Sequence, residues 1–102
     1  MYKYVYIIRK QECEDWEVSG CYLNLKVAVL AFRSRVQEAR IRRLGTDIAT
    51  TQPAYYLDKY LLNNHRSEVN PKRCTILQNT NSKGWYNETV DQDIQRLLVA
   101  GH

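Results

Sequence analysis

The sequence predicts an α+β fold, an antiparallel sheet of about four strands with helices packed on one face, in the order β-β-α-α-β-β-α. Three observations carry that prediction. Residues 2 to 10 form a β pattern rich in aromatic and β-branched side chains, and after a polar break residues 15 to 22 alternate again, as the two strands of a hairpin do. Two later stretches, 25 to 44 and 90 to 100, repeat apolar residues at threes and fours, as helices do. Between them lies Arg73 to Asn79, a short β-prone run centred on Thr75, Ile76 and Leu77. That order gives an antiparallel sheet with helices packed on one side, an α+β arrangement of two layers.

Taken in order, Tyr2, Tyr4, Tyr6 and Ile8 form one face of the first strand, and Lys3, Val5, Ile7 and Arg9 the other. After the polar turn Gln11–Glu14, Trp16, Val18, Gly20 and Tyr22 alternate with Asp15, Glu17, Ser19 and Cys21. Asn24 is placed to cap a helix whose stripe is Leu25, Ala28, Val29, Phe32, Val36 and Ala39, and Gly45 is placed to end it. Thr51 and Pro53 mark the start of a second, shorter helix through Leu62, with Tyr56, Leu57, Tyr60 and Leu61 inward. Asn63–Lys72 is read as a polar loop, and the turn Asn81–Gly84 leads to a fourth strand at Trp85 and Tyr86. Thr89 and Gln92 have capping-box spacing at the head of a last helix with the stripe Val90, Ile94, Leu97 and Leu98.

The 102 residues leave room for one domain, and 44% hydrophobic with 25% charged residues is the balance of a globular chain. No apolar run approaches the roughly 20 residues that cross a bilayer, and residues 1 to 6 do not read as a secretory signal, so a cytoplasmic protein is expected. Cys13, Cys21 and Cys74 are an odd set without a C-x-x-C pair, which fits reduced thiols better than a disulfide framework or a zinc site. No cofactor and no metal is expected.

The net charge of +4 has one address. Arg33, Arg35, Arg40, Arg42 and Arg43 stand against Glu38 alone, and bases and acids balance over the rest of the chain. On a helix Arg33 and Arg40 fall on one flank of the apolar stripe, and Arg35 and Arg42 on the other. Split in this way, the charge describes a solvated helix with snorkelling side chains at least as well as a phosphate grip. No G-x-S-x-G, phosphate-cradling glycine loop or H-E-x-x-H is present, and the interior histidine, His65, has no partner legible in sequence, so no catalytic residue is assigned.

The stretch Asp15 Trp16 Glu17 Val18 Ser19 Gly20 Cys21 Tyr22, running straight into a helix with Ala28, Ala31 and Phe32, resembles the short accessory proteins of bacteriophages and related mobile elements. The resemblance covers the first third of the chain and brings no catalytic residue with it. It implies a small protein that binds and blocks a host or defence complex.

The expected function is therefore a non-catalytic protein-binding module, a phage-type inhibitor by that resemblance. Its candidate contacts are Arg33, Arg35, Arg40, Arg42 and Arg43, with Tyr55 and Trp85 as aromatic anchors. The alternative is a basic nucleic-acid-binding protein using the arginine-rich first helix, or bases stacked on Tyr2, Tyr4 and Tyr6 if that sheet face is open. Self-association into a homodimer is the further expectation for an open aromatic face or a free sheet edge.

Overall fold

The computed structural model describes residues 4–12, 15–44, 53–61, 73–80 and 87–100, the side chains of 12 and 42–44 excepted. Strands β1 (Tyr4–Glu12) and β2 (Asp15–Tyr22) precede helix α1 (Leu25–Leu44), and strands β3 (Ala54–Leu61) and β4 (Arg73–Gln78) precede helix α2 (Val90–Ala100). The sheet is antiparallel throughout, in the order β2-β1-β3-β4. The α+β class with four strands is as the sequence predicts.

One element differs. The segment expected as a second helix is strand β3, at the centre of the sheet between β1 and β4. Tyr56, Leu57, Tyr60 and Leu61 satisfy a helical spacing, but Tyr55 and Leu57 against Tyr56, Asp58 and Tyr60 satisfy a two-residue one equally well. Tyrosine-rich sequence with a partner strand on both sides resolves that ambiguity towards β. The expected strand at Trp85 and Tyr86, Gly45, His65, Cys13 and the turn Asn81–Gly84 lie outside the described residues.

Both helices cover the same face of the sheet. The core is Tyr6 and Ile8 from β1, Tyr55 and Leu57 from β3 and Leu77 from β4, packed on Ala28, Val29, Phe32, Val36 and Ala39 of α1 and Val90 and Ile94 of α2. The α1 stripe is the one its spacing predicts, and Asn24 caps it: its Oδ1 accepts a hydrogen bond from Val27 N at 3.1 Å. The start of α2 is built differently from a capping box. Asn87 Oδ1 accepts from Thr89 N (3.1 Å) and Thr89 Oγ1 (2.8 Å), and the threonine hydroxyl also lies 3.2 Å from Asp93 Oδ2.

Although no sequence repeat is legible, the chain is built from two ββα units of the same plan. Ile8 of β1 pairs with Leu57 of β3 at the centre, and each is followed by an irregularity in its hairpin. In the first, Ile8 pairs with Gly20 and Arg9 with Val18, leaving Ser19 as the extra residue; in the second, Leu57 pairs with Leu77 and Asp58 with Thr75, leaving Ile76. The pairs Ile7–Cys21 and Gln11–Trp16 likewise answer to Tyr56–Gln78 and Tyr60–Arg73. A topological two-fold axis thus runs through the sheet between β1 and β3.

The bulge at Ser19 has a consequence for the expected second strand. Gly20 and Tyr22 point to the helices opposite Ile8 and Tyr6, whereas Trp16 and Val18, in the same alternating set, point to the other side opposite Gln11 and Arg9. Gly20 makes room for the Tyr22 ring: a Cβ there would meet it at 2.7 Å, so a larger residue needs the ring to move.

Candidate functional site

The face of the sheet turned away from the helices carries Val5, Ile7, Arg9 and Gln11 from β1, Trp16, Val18 and Cys21 from β2, Tyr56, Asp58 and Tyr60 from β3, and Arg73, Thr75 and Gln78 from β4. Among the described residues no element packs on it. Trp16 is 50% exposed and Val18 66%. An outward face holding this many aromatic and β-branched side chains is a surface that a solvated sheet does not need.

At its centre is one buried charge pair. Asp58 is fully buried, and its carboxylate takes hydrogen bonds from Arg9 Nε on Oδ2, from Arg9 Nη2 at 3.5 Å on Oδ1 and from Thr75 Oγ1 at 2.6 Å on Oδ1. The Arg9 guanidinium lies 4.5 Å from the centroid of the Trp16 ring and 4.9 Å from that of Tyr56, and the two rings are 5.6 Å apart and tilted by 36°. Strand geometry positions all five residues: Arg9 stands opposite Val18 on one side and Tyr56 on the other, and Asp58 opposite Thr75, so the set spans the four strands. Arg9 and Asp58 also occupy equivalent positions in the two ββα units. The axis of the fold is closed by opposite charges.

Chemically this centre is closed as well. Both oxygens of Asp58 are engaged and the guanidinium lies against both rings, so the pair is internally neutralised rather than poised as a general base or a phosphate clamp. Among the described residues no three of His, Cys, Asp and Glu are grouped to hold a metal ion, and no helix is long and apolar enough to cross a membrane.

Of the arginines singled out by sequence, the three whose side chains are described do not converge. Arg35 turns towards β2, its Nε donating to Ser19 Oγ at 3.0 Å and its Nη2 to Ser19 O at 3.4 Å. Arg40 reaches α2, where its Nη2 pairs with Asp91 Oδ2 at 3.2 Å. Arg33 is exposed, and the side chains of Arg42 and Arg43 lie outside the described residues, as does Trp85. Tyr55, expected as an anchor, is 4% exposed in the core, with its backbone N–H bonded to Asn79 Oδ1 at 2.7 Å. Tyr4 and Tyr6 are on the helix-covered face and cannot stack bases.

Sequence reasoning passed over Arg9, Asp58, Thr75 and Tyr56 as site residues. The available signal was a charged residue set in each of two apolar strands, Ile7-Ile8-Arg9 and Tyr56-Leu57-Asp58. Reading the second strand as a helix hid the symmetry of the two. Compared with known protein families, curated proteins and solved structures, the chain matches none.

Proposed function

We propose that the protein is a non-catalytic protein-binding module, and that its contact surface is the open face of the sheet rather than the arginines of α1. The observation that carries this is the half-exposed Trp16 and the exposed Val18 beside Tyr56, arranged around a charge pair that neutralises itself. Aromatic anchors with a stacked arginine, in a patch with little net charge, have the composition of a protein interface core. Nucleic acid needs the reverse, a row of cations free to meet phosphates, and Arg35 and Arg40 are already turned to other parts of the fold. The inhibitor role rests on the opening-segment resemblance alone, and the geometry adds nothing to it.

The test has two arms. A photoreactive amino acid in place of Val18 is expected to give protein adducts in cells of the source, and the same group in place of Arg33 none. Labelled single- and double-stranded DNA and RNA, titrated at about 50 and about 200 mM salt, are expected not to bind at either. Tight binding at low salt that Arg33→Glu weakens and high salt abolishes overturns this reading.

A further inference from the structure

We infer that the occupant of the open sheet face is a second copy of this chain, packed face to face about a two-fold axis; the inference rests on the reading of that face as a protein-binding surface and names the partner. Three observations lead to it.

The first is electrical. The charged side chains on the face among the described residues are Arg9 and Asp58, which satisfy one another, and Arg73, on edge strand β4. An isologous interface must be complementary to its own image, and a uniformly basic or acidic patch fails that requirement by self-repulsion. This face meets it, because its centre is neutral while the basic α1 sits behind the sheet. An acidic partner finds no row of cations here, and a basic one no free carboxylate.

The second concerns the edges, the other route by which sheets associate. At β2 the ladder is broken by the bulge at Ser19, whose carbonyl oxygen accepts from Arg35 Nη2 at 3.4 Å. At β4 the bulge at Ile76 does the same, and Asn87 Nδ2 donates to Gln78 O at 3.0 Å. Both edges are blunted at equivalent places, which disfavours strand addition and leaves the face as the surface for association.

The third is area. Four strands of 6 to 9 residues, spaced about 4.8 Å apart and rising about 3.3 Å per residue, make a face of roughly 500 Å² in plan. Two copies bury about 1,000 Å² before side-chain relief is counted, which reaches the lower bound of about 1,000 Å² for a biological interface. Stacked sheets pack about 10 Å apart through interdigitating side chains, the role that Trp16, Val18, Ile7 and Tyr60 would take.

The full chain is examined by sedimentation velocity and light scattering between about 1 and about 100 µM. The expected result is a concentration-dependent dimer that Val18→Glu and Trp16→Glu weaken at least a hundredfold. Leu30→Glu, on the exposed outside of α1, is expected to leave it intact. Val18 is a surface residue, so circular dichroism of its variant reports a folded chain. A second readout uses the exposed thiols: Cys21, opposite Ile7 on the open face, should react with a maleimide more slowly as concentration rises. Cys74, opposite Lys59 on the other side, should not change. A monomer at about 100 µM overturns the inference, as does a dimer indifferent to Val18→Glu or broken by Leu30→Glu. If the chain is monomeric yet position 18 still gives adducts with another protein, self-association fails and the binding reading survives. If neither dimer nor adduct forms, both fail.

Discussion

Asp58 shows what single residues contribute. A carboxylate with no exposure is tolerated because Arg9 and Thr75 supply all its hydrogen bonds, so removing its charge strands the guanidinium rather than relieving the fold. Asp58→Ala is expected to destabilise by about 3–5 kcal/mol, whereas the joint replacement Arg9→Met, Asp58→Leu should be near neutral or better, and urea denaturation of both variants reads the difference. Asn79 is a second buried polar residue. Its side chain completes the start of β3, accepting from Tyr55 N at 2.7 Å and donating to Pro53 O at 3.1 Å. Asn79→Ala leaves these backbone groups unpaired in the interior and should cost roughly 2–4 kcal/mol in the same measurement. Tyr6 links burial to pH. Desolvation of its phenol, with Tyr4 beside it, raises its pKa above the ordinary 10.0. The native state then holds this proton more tightly than the unfolded state, so the stability it contributes is complete below pH 10.0 and declines as pH rises towards the folded value. Thermal melts across that alkaline range should fall less steeply for Tyr6→Phe than for the parent.

Among the elements, legibility followed the strength of local periodicity. Helix α1 could be read residue by residue, since Ala28, Val29, Phe32, Val36 and Ala39 all lie in the core and Asn24 accepts from Val27 N. Asn24→Ala should therefore lower stability by about 1 kcal/mol, measured as a shift in the denaturant midpoint. Strand β1 was equally plain. The failures came where two periods coincide or one is interrupted. Tyr56, Leu57, Tyr60 and Leu61 fit a helix turn as well as a strand, and only a neighbour on each side, which local sequence does not contain, made the segment β3. In β2 the bulge at Ser19 divides an unbroken alternation between two faces, sending Trp16 outward and Tyr22 inward. The candidate site inherited both errors: two of its five residues, Tyr56 and Asp58, are in β3, and the unbroken alternation put Trp16 on the side of Tyr22. Charge density drew attention to α1 instead, but a cluster in sequence says nothing about Ser19 and Asp91 waiting to take Arg35 and Arg40.

For the whole molecule, the layer count is the informative quantity. Helices cover one side of the sheet, and the aromatic side remains, so a third layer supplied by another chain would complete the packing. The dimer expected above is that completion. The repeated ββα plan carries a separate implication, about recognition within one chain. If a first half met another first half along its β1 edge in the native register, Arg9 would lie diagonally across from Arg9, as it now does from Asp58, and two second halves would set Asp58 likewise by Asp58; only unlike halves unite a guanidinium with a carboxylate. The ion pair at the centre therefore works as a polarity mark, allowing two segments of nearly identical plan to tell partner from twin while the sheet assembles.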